Sequence, residues 1–303
     1  TYYLSEFLKQ VTADDVEAVI LLVQGRVFPS YDERELGVAN QLVIKAISTA
    51  SGAQSAAIEK EWPKSGDLGK VAEQIIKGKR QATLAATELT VKKVFDNLRK
   101  LTELTGQGSV DRKMQLIAEL LSSAKGTEAR YITRTILGQL RIGTGAGILR
   151  DAIAWAYFPK AVEKVFVKCG SCLGTVPPAD NCVECGKELS EEAKKAAVTS
   201  AAQVGSSRNS ANGGMRNRTS SDLRLCNPAK AGFAAEGEEK EESAREEYNI
   251  ILDKIQQAYD LTNDFGVVAR KAKTEGAKGL ETVEIMVGTP IKVMLALKVD
   301  TVE

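Results

Sequence analysis

Three arginines and a run of glycines in the middle of the chain have the types and spacing needed to bind phosphate. At about 100° per residue, Arg130, Arg134 and Arg141 fall on one side of a helix. The opposite side carries the aliphatic residues Ile132, Ile136 and Leu140. A glycine-rich turn over residues 142–147 then leads into a helix predicted to begin at about Ile148, so backbone N–H groups and the positive end of a helix dipole can meet one anion. This arrangement predicts that the region binds the phosphate backbone of a nucleic acid.

The same residues also have a purely structural interpretation. Arginines on one side of a helix commonly form a solvated surface, and glycine turns between helices are common C-caps. A basic helical domain without a polyanion partner therefore stays open as an alternative.

Two further junctions between a glycine-rich loop and a helix favour binding. Residues 65–69 open one helix, with Asp67 placed to cap it and with Gly66 and Gly69 exposing backbone. Residues 105–109 open another helix that carries cations in its first turns. Backbone N–H groups bind phosphate in any sequence, so the predicted binding is positional and not base-specific.

The charge distribution agrees with this interpretation. The net charge of the 303 residues is only +1, but residues 64–160, which contain the three junctions, hold 17 basic and 9 acidic side chains. Such a basic region is the electrostatic footprint of a surface that follows phosphates, and its binding would depend on salt. The sequence shows no signal peptide and no apolar run long enough to span a membrane, so we expect an intracellular, cytoplasmic protein associated with the nucleoid.

Four cysteines form two pairs with metal-ligand spacing. Cys169 and Cys172 form one Cys-x2-Cys pair, and Cys182 and Cys185 form a second pair nine residues later. Two-residue spacing lets both thiolates of a pair reach one ion, and four thiolates complete a tetrahedral zinc shell. We predict a structural zinc site, with iron or two disulfides as the alternatives. Cys226 is interpreted as a spare thiol.

Hydrophobic spacing predicts the elements that carry these residues. Apolar side chains recur at helical spacing over most of residues 1–165 and again over residues 247–273. Residues 191–246 are rich in Ser, Asn, Gly and charged side chains, which is typical of a flexible linker. Residues 282–287 and 291–297 are predicted to be short strands or extended chain.

Five motifs occur in a familiar order: GDLG at 66–69, TGQGSVDRK at 105–113, EARYITRTILGQLRIGTGAGILRDAIA at 128–154, and, in the C-terminal part, LTNDFGVVARKAKTEG followed by GTPIKVMLA. In this combination the chain resembles the N-terminal region of ATP-dependent DNA ligases of the archaeal and eukaryotic replicative type. The resemblance covers residues 1–165 and 247–299.

The resemblance implies an all-helical domain that encircles nicked double-stranded DNA from the minor-groove side. The parent protein would be a monomeric ligase that seals nicks during replication, repair and recombination, with a sliding clamp as a possible partner. The positions expected to contact phosphate are Gly66, Leu68, Gly69, Gly106, Gly108, Arg112, Lys113, Arg134, Arg141, Gly143 and Arg150.

The chain departs from the family pattern at the nucleophile. Ligases of this type form a lysyl-adenylate on the lysine of a Lys-x-Asp-Gly motif, using ATP and Mg²⁺. That motif does not occur in the sequence, because Lys298-Val-Asp lacks the glycine and Lys64-Ser-Gly-Asp has the wrong order. We therefore expect a chain that ends before the catalytic lysine and is not active alone.

These observations predict an all-α fold with a small zinc-ribbon insertion. The expected domains are a helical DNA-binding domain (1–165), the zinc-ribbon-like insertion (166–190), the linker (191–246), a helical completion of the DNA-binding domain (247–280) and the start of an adenylation domain (281–303). A non-catalytic helical nucleic-acid adaptor with a structural zinc site is the alternative.

Overall fold

Helices make up nearly all the regular structure in the part of the chain that the computed structural model describes. The described residues are 1–78, 88–172, 175–176, 181–182, 185–190 and 236–284. The helices are α1 (Tyr2–Gln10), α2 (Val16–Val23), α3 (Asn40–Ser51), α4 (Ser55–Ser65), α5 (Leu68–Lys77), α6 (Val91–Glu103), α7 (Ser109–Ser123), α8 (Gly126–Ile136), α9 (Ala146–Tyr157), α10 (Pro159–Val165), α11 (Glu236–Thr262) and α12 (Phe265–Glu281). Two short antiparallel strands, β1 (Val167–Lys168) and β2 (Thr175–Val176), complete the described elements. The all-α prediction is confirmed.

The chain divides into two compact units, each assembled from separate segments. The first unit contains Thr1–Gln10, Ala146–Ala258 and Glu275–Thr282. The second unit contains Val11–Gly145, Tyr259–Thr274 and Val283–Glu303.

The core of the second unit is built where amphipathic helices pack in pairs. Helix α3 packs against α7, and α5 packs against α8. The aliphatic residues of α3 that recur at three- and four-residue spacing are fully buried: Val43, Ile44, Ala46 and Ile47. Burial of this apolar face is what holds such helices together, because isolated helices of this length are marginal in water.

The first unit has its own packed centre. Helix α1 lies against α9. The indole N–H of Trp155 in α9 donates to the hydroxyl of Tyr248 in α11 at 3.0 Å, and the Trp155 ring packs on Phe166 at a centroid distance of 4.5 Å. These contacts join segments of the first unit that are distant in sequence.

Helix α11 begins earlier than the sequence predicts. It starts at Glu236 rather than at residue 247, and it ends at Thr262, before Asn263 takes a positive φ of 50°. Glu, Lys, Ala and Arg dominate the first turns, and all four are strong helix formers, which explains the earlier start.

Several predictions lie outside the described residues. These are most of the linker, Cys226, the strand over residues 291–297 and all but the first three residues of the strand over 282–287, of which the described residues 282–284 form no strand. None of the helices in the described ranges combines the length and the apolar character needed to cross a membrane.

Candidate nucleic-acid interface

Helices α5 and α8 run antiparallel, and a glycine at each end lets their backbones approach closely. A Cβ on Gly69 would lie 2.7 Å from the carbonyl oxygen of Arg130 and 2.8 Å from Cγ of Arg134. At the other end of the pair, Gly126 lies against the side-chain carbons of Lys77. Gly69 therefore requires a residue without a side chain, whereas a Cβ at Gly126 would force the Lys77 side chain to move.

The turn between α4 and α5 is built by Gly66 and Asp67. Gly66 takes a positive φ of 62° and its N–H donates to the carbonyl of Trp62 at 2.9 Å, which ends α4 in the usual glycine C-cap. Asp67 then begins α5, and its Oδ1 accepts hydrogen bonds from the N–H groups of Gly69 at 3.0 Å and Lys70 at 3.4 Å. The predicted cap is confirmed.

Asp67 also forms a buried ion pair with Arg134 of α8. The distance from Arg134 Nη2 to Asp67 Oδ2 is 2.5 Å, and the two side chains are 9% and 4% exposed. Burial raises the pKa of Asp67, but the hydrogen bond and charge of Arg134, with the N–H groups of Lys70 and Gly69, outweigh this and lower the pKa below its ordinary 3.8. The Asp67 hydrogen bond in turn raises the pKa of Arg134. Both groups are therefore held in their charged forms.

Arg141 connects the loop after α8 to the turn before α5. Its Nη2 donates to the carbonyl oxygen of Gly66 at 2.9 Å, and its Nη1 lies 4.0 Å from Oδ2 of Asp67. The Arg141 backbone has a positive φ of 56°, which is uncommon for a residue other than glycine, asparagine or aspartate. Half of its side chain is exposed. This loop therefore presents a guanidinium to solvent beside Gly66.

The loop continues through open glycines into α9. A Cβ on Gly143 or Gly145 would meet no atom within 4 Å, so the backbone there is open. Helix α9 begins at Ala146, slightly before the predicted Ile148. Arg150, in the first unit, is 16% exposed and its guanidinium pairs with Asp151 at 2.9 Å.

The loop before α7 is held by contacts of its own. Gly106 and Gly108 have positive φ angles of 78° and 75° and are exposed. The Arg112 guanidinium is exposed and donates to the carbonyl of Gln107 at 3.2 Å. The Lys113 ammonium donates to the carbonyl of Leu36 at 2.9 Å, which fixes the chain before α3.

The structure joins the first and third predicted loops through Arg141 and Gly66. Six of the predicted contact residues are exposed: Gly66, Gly106, Gly108, Arg112, Arg141 and Gly143. The expectation that Gly69 exposes its backbone is wrong, because its N–H is taken by Asp67 and the residue is buried against α8. The expectation that Arg134 lies on an open cationic face is also wrong, because Asp67 pairs with it in the core. Leu68 is buried too, with its side chain in the hydrophobic core.

Two exposed lysines beside the Gly66 turn complete the charge of this surface and were not among the predicted contacts. Lys64 lies in the last turn of α4, with Glu61 as its ion-pair partner at 2.6 Å, and Lys70 lies in the first turn of α5. Their position within four residues of Gly66 was the signal that could have identified them. We use the name loop surface for the exposed group Lys64, Gly66, Lys70, Arg141 and Gly143.

The four cysteines of the first unit converge on one point. Their sulfur atoms all lie within 4.8 Å of one another, with Cys169–Cys185 and Cys172–Cys182 distances of 3.7 Å. These distances are too long for disulfide bonds, which are about 2.05 Å. Backbone hydrogen bonds from Cys172 and Ser171 lower the pKa of Cys169 to about 6, which favours the thiolate. The cluster is suited to bind a metal ion.

Comparison with known proteins identifies a family and several relatives of this chain. Residues 1–154 match the family described as DNA ligase N terminus. A DNA ligase of Thermococcus fumicolans is 32% identical over all 303 residues, which cover 38% of that protein. A DNA ligase of Archaeoglobus fulgidus is 44% identical over 170 residues, which are 55% of this chain and 31% of the relative. The chain thus spans well under half the length of these relatives.

Proposed function

Since this chain belongs to the DNA ligase family, we propose that it forms the DNA-binding portion of a DNA ligase and grips the phosphate backbone of nicked duplex DNA. The complete enzyme would be an ATP-dependent ligase of the archaeal type, which seals nicks in replication, repair and recombination. This chain would position the nicked DNA for the reaction. Positioning alone can lower a reaction barrier by several kcal/mol.

The observation that carries this proposal is the contact between Arg141 and Gly66. This hydrogen bond of 2.9 Å brings two loops, 75 residues apart in sequence, onto one surface. The loop surface contains three cations and open glycine backbone, which is the combination that binds phosphate without reading bases. The exposed loop at Gly106–Gly108, with Arg112, supplies a second set of contacts in the same unit.

We propose that adenylation is carried out by the part of the ligase that lies outside the region matched by this chain. No Lys-x-Asp-Gly motif occurs in the 303 residues. ATP and Mg²⁺ would supply the activated phosphate there, while this chain holds the duplex on either side of the nick. The 303-residue chain should therefore form no lysyl-adenylate when it is incubated with ATP and Mg²⁺.

We also propose that Cys169, Cys172, Cys182 and Cys185 hold a structural zinc ion. A tetrahedral zinc–thiolate site with bonds of about 2.3 Å has sulfur–sulfur edges of about 3.8 Å. The observed 3.7 Å distances fit this geometry. Four thiolates fill the shell, so the ion would stabilise the fold around β1 and β2 rather than bind substrate.

The test of DNA binding is a titration of the 303-residue chain against nicked duplexes of two unrelated sequences, followed by fluorescence anisotropy. We expect similar dissociation constants for both sequences and a strong loss of affinity with added salt. Arg141→Ala should weaken binding to both duplexes equally, whereas Lys9→Ala, which removes an exposed cation from α1, should not. Binding that ignores salt, or that depends strongly on sequence, would contradict the proposal.

A further inference from the structure

We propose that Arg134 is a positioning residue, which fixes the loops that carry Gly66 and Arg141 and does not itself touch phosphate. This inference rests on the proposed function, because the loops matter only if they hold DNA. It assigns to Arg134 a task that differs from that of Arg141, although both arginines belong to the same stretch of sequence.

The contacts of Arg134 account for each nitrogen of its guanidinium. Nη2 and Nε donate to Oδ2 and Oδ1 of Asp67 at 2.5 Å and 3.4 Å. Nη1 donates to the carbonyl oxygen of Leu140 at 3.5 Å. The planar guanidinium therefore holds the start of α5 with one edge and the chain just before Arg141 with the other.

Burial makes direct contact with DNA unfavourable for Arg134. Its side chain is 9% exposed, and its partner carboxylate is 4% exposed. A phosphate could reach the guanidinium only by displacing Asp67, which would leave a buried carboxylate without its counter-charge. The Asp67 carboxylate would also have to release the N–H groups of Gly69 and Lys70.

The Asp67–Arg134 pair acts on both loops because Asp67 lies in the Gly66 turn and Arg134 donates to the carbonyl oxygen of Leu140 in the loop after α8. Asp67 is the residue after Gly66, whose carbonyl accepts the hydrogen bond from Arg141. Leu140 is the residue before Arg141, whose left-handed backbone must be held by its surroundings. A shift of the pair would therefore move the Gly66 turn and the Arg141 guanidinium together, and preorganised contacts of this kind favour binding by reducing the ordering cost.

The dependence of DNA affinity on salt separates positioning from direct contact. Each phosphate contact contributes about 0.9 to the slope of log K against log salt. Arg141→Ala should reduce the slope by about 0.9. Arg134→Lys, which keeps the charge but loses the bidentate fork, should weaken binding about tenfold at every salt concentration and leave the slope unchanged. The double variant Asp67→Asn/Arg134→Gln, which replaces the ion pair with two neutral amides, should behave like Arg134→Lys.

Amide hydrogen exchange of the free 303-residue chain provides a second measurement that does not require DNA. Arg134→Lys should accelerate exchange at Gly69, Lys70 and the loop over residues 138–145, and leave α3 and α7 unchanged. Accelerated exchange in α3 and α7 as well would indicate general destabilisation and would overturn the proposal. Unchanged exchange at either loop would also overturn it.

The two measurements distinguish failure of this inference from failure of the proposed function. If Arg134→Lys or the double variant reduces the salt slope as much as Arg141→Ala does, Arg134 contacts phosphate and the positioning role is wrong. If the parent chain shows no salt-dependent binding to duplex DNA, the proposed function is wrong, and hydrogen exchange still decides whether Arg134 fixes the two loops.

Discussion

Two glycine-rich loops of the second unit open helices in different ways. At the start of α5, the carboxylate of Asp67 takes the first N–H groups of the helix and is itself held by Arg134. At the start of α7, the N-cap is Gly108, which has no side chain, and the nearby Arg112 guanidinium binds only the local carbonyl of Gln107. The first loop is held by a buried ion pair, and the second is held by an exposed guanidinium and by the Lys113 ammonium, which donates to the Leu36 carbonyl.

This difference changes what each loop can offer to a phosphate. The start of α5 has its N–H groups occupied, so it contributes Gly66, the adjacent lysines and the Arg141 guanidinium. The start of α7 has no side-chain cap, and the N–H of Ser109 donates to the carbonyl of Gly106 at 3.2 Å, so the dipole and the next N–H groups of the first turn are what this end offers to an anion. The two loops have similar glycine patterns in the sequence, but one would bind phosphate through side-chain cations and the other through the start of a helix.

The two loops should differ most in the free energy of unfolding that is lost when the acidic residue of each is replaced. Asp67→Ala leaves a buried guanidinium unpaired and α5 uncapped, so we expect the free energy of unfolding to fall by about 3–5 kcal/mol. Asp111→Ala, in the first turn of α7, should cost about 0.3–1 kcal/mol through the helix dipole alone. Urea unfolding followed by circular dichroism measures both, and equal losses would remove the distinction between a buried and a surface attachment.

Replacing Gly69 and replacing Gly143 should also differ in their cost to stability, by a smaller amount. Gly69→Ala places a Cβ against the Arg130 carbonyl and the Arg134 side chain, and such overpacking costs about 1–3 kcal/mol. Gly143→Ala is the matched control, because its Cβ would meet no atom within 4 Å, and its cost should stay within about 0.5 kcal/mol. A tolerated Gly69→Ala in thermal or urea unfolding would show that α5 and α8 are not packed this closely.

The loop before α7 should contribute to DNA affinity without contributing to stability. Arg112→Ala removes an exposed guanidinium, so we expect the salt slope for nicked duplex to fall by about 0.9 and the free energy of unfolding to stay unchanged. Arg112→Lys serves as the control that keeps the charge and the slope. If Arg112→Ala leaves the slope at the value of the parent chain, this loop does not contact phosphate.

The smallest expected effect is the pH dependence of the stability that Asp67 contributes to the fold. Because the pKa of folded Asp67 lies below its ordinary 3.8, the carboxylate stabilises the fold above about that pH, and this stability is lost as the pH falls through the lower folded pKa. The difference in unfolding free energy between the parent chain and Asp67→Asn should therefore shrink from pH 6 to pH 3. A difference that grows on acidification would refute the assigned sign.

Local patterns in the sequence predicted the parts of the structure that local forces build. Helical periodicity identified the amphipathic helices, Cys-x2-Cys spacing brought four sulfurs together, and the turn at Asp67 predicted a cap. The Asp67–Arg134 pair could not be predicted in this way, because it joins residues 67 positions apart.

The same limit explains the two wrong expectations at the interface. A helical wheel places Arg134 close to Arg130, but it does not show that α8 is buried over the whole run from Ile132 to Ile136. Its neighbours Thr133 and Thr135 gave no sign of burial, because threonine lies mostly at protein surfaces. Gly69 was ambiguous, since glycine serves an open loop and a close helix contact equally well.

The central claim is that the loop surface and the loop before α7 grip the same duplex through its backbone. The most direct test is amide hydrogen exchange of the 303-residue chain with and without a nicked duplex at low salt. We predict slower exchange on DNA binding at the Gly66 turn, at residues 106–111 and at residues 141–145 together. Protection confined to other surfaces, such as the loop over residues 25–38, would contradict the account.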